Sequence, residues 1–116
     1  MARYNLNLVR VLERAAQYFP RKRIATRLTD GSLFRYDYAQ FARRTRRLAS
    51  TLAGLGVAPG TPVATLAWNT HHHLELYFGI PCAGAVLHTA NLRLSEEHIA
   101  FTMNHAADRV LFFSPD

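Results

Sequence analysis

At 116 residues, with 49% hydrophobic and 19% charged side chains, the chain has room for one compact core and is neither disordered nor fibrous in composition. Its lone cysteine, Cys82, excludes an internal disulfide and makes a reducing, cytoplasmic-type compartment the expectation. The net charge of +6 is uneven, since residues 1–60 carry 12 basic and 3 acidic side chains while residues 61–116 carry 2 and 5. A basic half admits an anionic partner. Yet 13 of the 14 basic residues are arginine, which with the abundant alanine equally fits a GC-rich coding sequence. Met1 to Leu6 holds no signal-peptide pattern. The longest stretch without formal charge, Leu76 to Leu92, is broken by Gly79, Pro81, Gly84, His88 and Asn91 and is slightly short for a bilayer, so no membrane span is expected.

In chain order, Asn7 can cap a first helix, because Leu8, Val11, Leu12, Ala15, Ala16 and Phe19 follow at helical spacing until Pro20. Ile24 to Thr29 and Leu33 to Tyr38 are β-rich runs around Asp30-Gly31, which predicts a hairpin. A second helix covers roughly Tyr38 to Leu55 and is stopped by Gly56. After the Pro59-Gly60 turn, Pro62 to Trp68 reads as a strand buried on both faces. Asn69 or Thr70 can cap a third helix reaching about Cys82, with Pro81 forcing a kink or an early end. Ala85 to Thr89 is a short strand. Ser95 caps a fourth helix with Glu96 and Glu97 in its first turn, and Arg109 to Phe113 is the last strand. The fold class is therefore α/β: an N-terminal helix, a β-hairpin, a helix, then a βαβαβ unit with a parallel sheet. Three strands and two crossovers hardly cover both faces of such a sheet, which suggests an incomplete part of a larger domain.

Few residues carry chemistry. His71-His72-His73 lies at a helix start, where consecutive side chains point about 100° apart and cannot ligate one ion. His71 and Glu75 have usable spacing but lack a third ligand nearby, so the three histidines are expected to contact neighbouring segments. Gly54-Leu55-Gly56 follows a helix and precedes a strand, the reverse of a phosphate-cradling loop. Arg43, Arg44, Arg46 and Arg47 span an arc of about 160° opposite Phe41, Leu48, Ala49, Leu52 and Leu55, which fits a solvated helix face rather than a nucleic-acid site. Cys82 lies in an apolar stretch, and Ser50, Ser95 and Ser114 lack a nucleophile elbow. His88 and His105 have no partner legible in sequence, so each is expected to be a core or helix-end histidine.

Five stretches, Asp30 to Arg44, Leu55 to Ala64, Trp68 to Glu75, Gly84 to Thr89 and Asn104 to Leu111, resemble in the same order the opening of acyl-CoA synthetases of the adenylate-forming, AMP-binding superfamily. The fatty-acyl-CoA ligases are the group they resemble most. That resemblance implies a parent reaction in which ATP and magnesium join a fatty acid to AMP before transfer to coenzyme A. The family's glycine-rich Pro-Lys-Gly loop, acidic AMP-ribose motif and C-terminal lysine lie beyond the matched stretches. No catalytic, cofactor-binding or metal-binding residue is therefore assigned in this chain, and no cofactor is expected to bind this segment alone. Leu92 stands where proline is common, Cys82-Ala83-Gly84 replaces a more glycine-rich version, and Ser114-Pro115 diverges, which suggests a truncated or frame-shifted end.

The expectation is that residues 1–116 form one partial N-terminal subdomain without internal boundary. It would be inactive alone and partnered by the remainder of the ligase or a full-length homologue, with fatty acid bound only in the complete enzyme and no nucleic acid. Two rivals stand beside it: a small basic protein that binds nucleic acid or acidic lipid, and a regulatory truncation that pairs with a full-length ligase.

Overall fold

The computed structural model describes residues 7–115, so the reading of Met1 to Leu6 lies outside the described residues. The elements are α1 (Leu8–Tyr18), β1 (Arg23–Arg27), β2 (Leu33–Asp37), α2 (Tyr38–Gly54), β3 (Pro62–Leu66), α3 (His71–Cys82), β4 (Val86–Thr89), α4 (Glu96–Ala106) and β5 (Val110–Phe113). Each helix starts on a side chain that accepts an otherwise unpaired N–H: Asn7 from Arg10, Asp37 from Gln40, Thr70 from His73 and Ser95 from His98. At α2 the Gln40 side chain also accepts from the Asp37 N–H, completing a capping box.

β1 and β2 pair antiparallel, and β3, β4 and β5 form a parallel sheet in the order β4-β3-β5. The chain thus leaves β3 to one side and returns on the other. The residues of β3 between its two neighbours, Val63, Ala64 and Thr65, are fully buried. Two apolar clusters result. One joins Leu52 and Val57 of the α2 side to Val63, Leu76, Ile80 and Ala85. The other joins Leu12 of α1 to Tyr36, Phe41 and Ala42 under the hairpin. Among the described residues no helix is long and apolar enough to cross a membrane.

The structure departs from the sequence reading at four places. β1 ends at Arg27 rather than Thr29, because the Asp30 carboxylate grips the Ser32 N–H and hydroxyl at 2.9 and 2.6 Å and tightens the turn, with Gly31 at φ +86°. β3 ends at Leu66, leaving Trp68 half exposed. α3 reaches Cys82 as expected, but Pro81 sits in its last turn without ending it early, and left-handed Gly84 follows the Ala83 cap. Leu55 caps α2 rather than continuing its core face, and is 65% exposed.

Candidate functional site

In an open parallel sheet the chain enters and leaves a crevice at the carboxyl ends of the strands where the connections diverge, and ligands collect there. In this fold that place is between β3 and β5. The walls are Ala67 and Trp68 after β3, Phe113 and Ser114 at the end of β5, the first turn of α3, and the hairpin loop at Arg27 to Asp30; together they enclose about 720 Å³. Backbone pairing fixes the rim, since Ser114 donates its N–H to the Leu66 carbonyl at 3.0 Å. The Trp68 N–H approaches the Ser114 hydroxyl at 3.4 Å.

The three histidines at the head of α3 part company, as their stagger requires. His72 is exposed beside the crevice. His73 turns inward: its Nε2 lies 2.9 Å from the Thr65 hydroxyl, and its ring stacks on Tyr77. Burial holds this imidazole below its ordinary pKa, against the Trp68 and Ala67 carbonyls, which favour the charged form. His71 faces the hairpin, where its ring stacks on Phe34 with centroids 4.3 Å apart and meets the edge of Tyr36. Burial first, and then His72, hold it below the ordinary histidine value as well. The spacing of His71 and Glu75 thus brings them to the same interface, but not to one ion. Among the described residues no three His, Cys, Asp or Glu side chains gather as metal ligands.

Glu75 has different partners. Its Oε2 accepts from the Tyr36 hydroxyl and from Arg44 Nε, each at 2.7 Å, so one buried carboxylate ties the hairpin, α2 and α3 together. Burial, reinforced by that carboxylate, holds the Tyr36 hydroxyl far above its ordinary pKa. The expectation of a uniformly solvated arginine face is therefore corrected at one position. Arg44 is turned onto α3, while Arg43, Arg46 and Arg47 are exposed. A helical wheel gave its direction but not the carboxylate waiting there.

His88 also has a partner that sequence did not supply. Its Nδ1 lies 2.6 Å from Asp108 Oδ2, reaching across β3, where Ala64 stands in register with His88 and offers only a methyl. His105 stacks on Phe101 at the exposed end of α4. Burial raises the Cys82 thiol, which makes it a poor nucleophile. Gly54 and Gly56 stand at the carboxyl end of α2, where carbonyls rather than N–H groups point outward, so they do not fit a phosphate. Lys22, the single lysine, is exposed in the α1–β1 connector. The glycine pair and the single lysine therefore do not form a phosphate-cradling loop.

The profile of the family described as AMP-binding enzyme matches residues 12–116. The chain is 52% identical over 111 residues to a long-chain-fatty-acid–CoA ligase of Thermus thermophilus, covering 96% of this chain and 20% of that protein. It is 45% identical over 103 residues to a 3-methylmercaptopropionyl-CoA ligase of Ruegeria pomeroyi, covering 89% and 19%. Among solved structures, the inhibitor-bound N-terminal domain of FACL13 from Mycobacterium tuberculosis superposes with a TM-score of 0.83 at 28% identity, over 92% of this chain and 26% of that one. The chain spans about a fifth of the length of the curated relatives it matches. It belongs to the AMP-binding enzyme family, in the part that matches the N-terminal region of fatty-acyl-CoA ligases.

Proposed function

We propose that residues 1–116 form a single supporting subdomain of an ATP-dependent fatty-acid–CoA ligase, and that this segment does not activate acids alone. ATP, magnesium and coenzyme A belong, in this reading, to the complete enzyme, as does the fatty acid. The observation that carries it is the 52% identity to a fatty-acid ligase over nearly the whole chain but a fifth of that relative. The polar groups support the same reading: the buried carboxylate Glu75 is occupied in holding three elements, and the glycine pair presents the wrong end of a helix to a phosphate. The remainder of the ligase is the partner this reading requires, and the lone, half-buried thiol of Cys82 supports a reducing, cytoplasmic setting. ATP–pyrophosphate exchange with a series of fatty acids tests it. The purified chain should give background rates, and turnover that follows the chain through purification would overturn the proposal.

A further inference from the structure

A second surface, built on α1 and the chain that follows it, takes no part in the crevice. α1 spends Leu12 and Ala16 on the core, yet Leu8, Val11, Tyr18 and Phe19 remain 40%, 47%, 64% and 45% exposed. Val11 and Tyr18, seven residues apart, lie along one stripe of the helix, with Arg14 between them. The Arg14 guanidinium stands 5.8 Å from the centre of the Tyr18 ring. Arg21 and Lys22 follow in the exposed connector and the exposed Arg23 opens β1; among the described residues none of these four cations makes an ion pair. Behind Val11, between Ala15, Ile24 and Tyr38, is an apolar recess of about 250 Å³.

We propose that this face of α1 and its connector docks on an anionic phospholipid bilayer. Aliphatic and aromatic side chains flanked by unpaired cations match the boundary between headgroups and acyl chains, where both kinds of group find partners at once. A nucleic-acid backbone would satisfy the cations but leave Leu8, Val11 and the recess in water. The arginines of α2 make the contrast: Arg43, Arg46 and Arg47 are exposed, yet no large apolar side chain within α2 is exposed with them. The proposal rests on this surface and not on the ligase reading.

Vesicle flotation of the whole chain tests it, with phosphatidylcholine alone against equimolar phosphatidylcholine and phosphatidylglycerol. Binding should be confined to the anionic vesicles and should weaken as salt rises. Each cation near such a surface contributes about a five-fold gain in partition, so Arg14→Gln with Lys22→Gln should lose about twenty-five-fold. The matched pair Arg43→Gln with Arg47→Gln should lose less than about five-fold, and self-association affects both pairs alike. Val11→Ser with Tyr18→Ser gives an independent arm, expected to weaken binding at unchanged charge. The idea fails if neutral vesicles bind equally, if the two arginine-containing pairs lose equally, if no vesicle binds, or if duplex DNA displaces the chain from vesicles at the same ionic strength.

Discussion

Tyr36, Arg44 and Glu75 come from three elements, and the carboxylate accepts from both donors at 2.7 Å. The two donors differ in what their loss would do. Arg44 is 41% exposed and can return to water, whereas Tyr36 is buried and its hydroxyl is bonded to Glu75. Glu75→Ala should therefore destabilise by about 2–3 kcal/mol, and Tyr36→Phe by about 1 kcal/mol, read from urea midpoints. A Glu75→Leu variant as stable as the parent would mean that desolvating the carboxylate cancels its hydrogen bonds. His71 and His73 add a pH dependence. Both are held neutral by burial, so in the region below the unfolded value of about 6.5 the unfolded chain binds more protons than the folded one. Stability should be level above that value and fall as pH drops through and below it. His71 faces Glu75 and His72 on its own helix, Arg44 on α2 and Tyr36 on β2, and Glu75 is already committed to the last two. His71→Phe keeps the stack on Phe34 and should flatten part of the acid-side slope in thermal melts from pH 5 to 8; an unchanged slope would remove His71 from the account.

α2 packs tightly on α3 at a position where α3 has no side chain. A β-carbon built on Gly79 would lie 2.7 Å from Leu48 Cδ2 and 3.1 Å from its Cγ, so the two helices meet over a glycine. Alanine would gain about 1 kcal/mol of helix propensity at that position, while forcing Leu48 aside costs about 1–3 kcal/mol. Gly79→Ala should be destabilising by about 1 kcal/mol, and Gly79→Ala combined with Leu48→Ala should show a favourable coupling in a double-mutant cycle. Simple additivity would argue that the helices do not press on one another there. Nothing in the residues around Gly79 announces that contact, and the same boundary separates what was legible from what was not. Asn7, Thr70 and Ser95 act within their own turn, as do Asp30-Gly31 and Gly56, so their roles follow from local chemistry. The Tyr36–Glu75 and His88–Asp108 contacts span 39 and 20 residues and exist only because the strands take the order β4-β3-β5 and the hairpin lies against α3. A helical wheel puts Leu55 on the core face for a related reason, since it carries no information on Gly54 being the last helical residue.

The parallel sheet gives the molecule two unlike faces. Val63, Thr65, Leu87, Val110 and Phe112 alternate with Ala64, His88 and Leu111, and the first set packs toward α2 and α3. On the other side α4 buries no residue completely, and Phe101, Leu111 and Phe113 stay 67%, 41% and 64% exposed. Among the described residues, both outer strands also have an unpaired edge. Exposed apolar surface beside unpaired strand edges favours association with another chain. The isolated chain is therefore expected to bind a hydrophobic dye and to self-associate as concentration rises. Because Phe101 and Phe113 are mainly in water already, Phe101→Ser with Phe113→Ser should change the unfolding midpoint by no more than about 0.5 kcal/mol per site while lowering dye fluorescence and apparent mass in light scattering. Loss of stability without a fall in dye binding would place these rings in the core instead. A dye-silent monomer in the parent chain would show that this sheet face needs no cover.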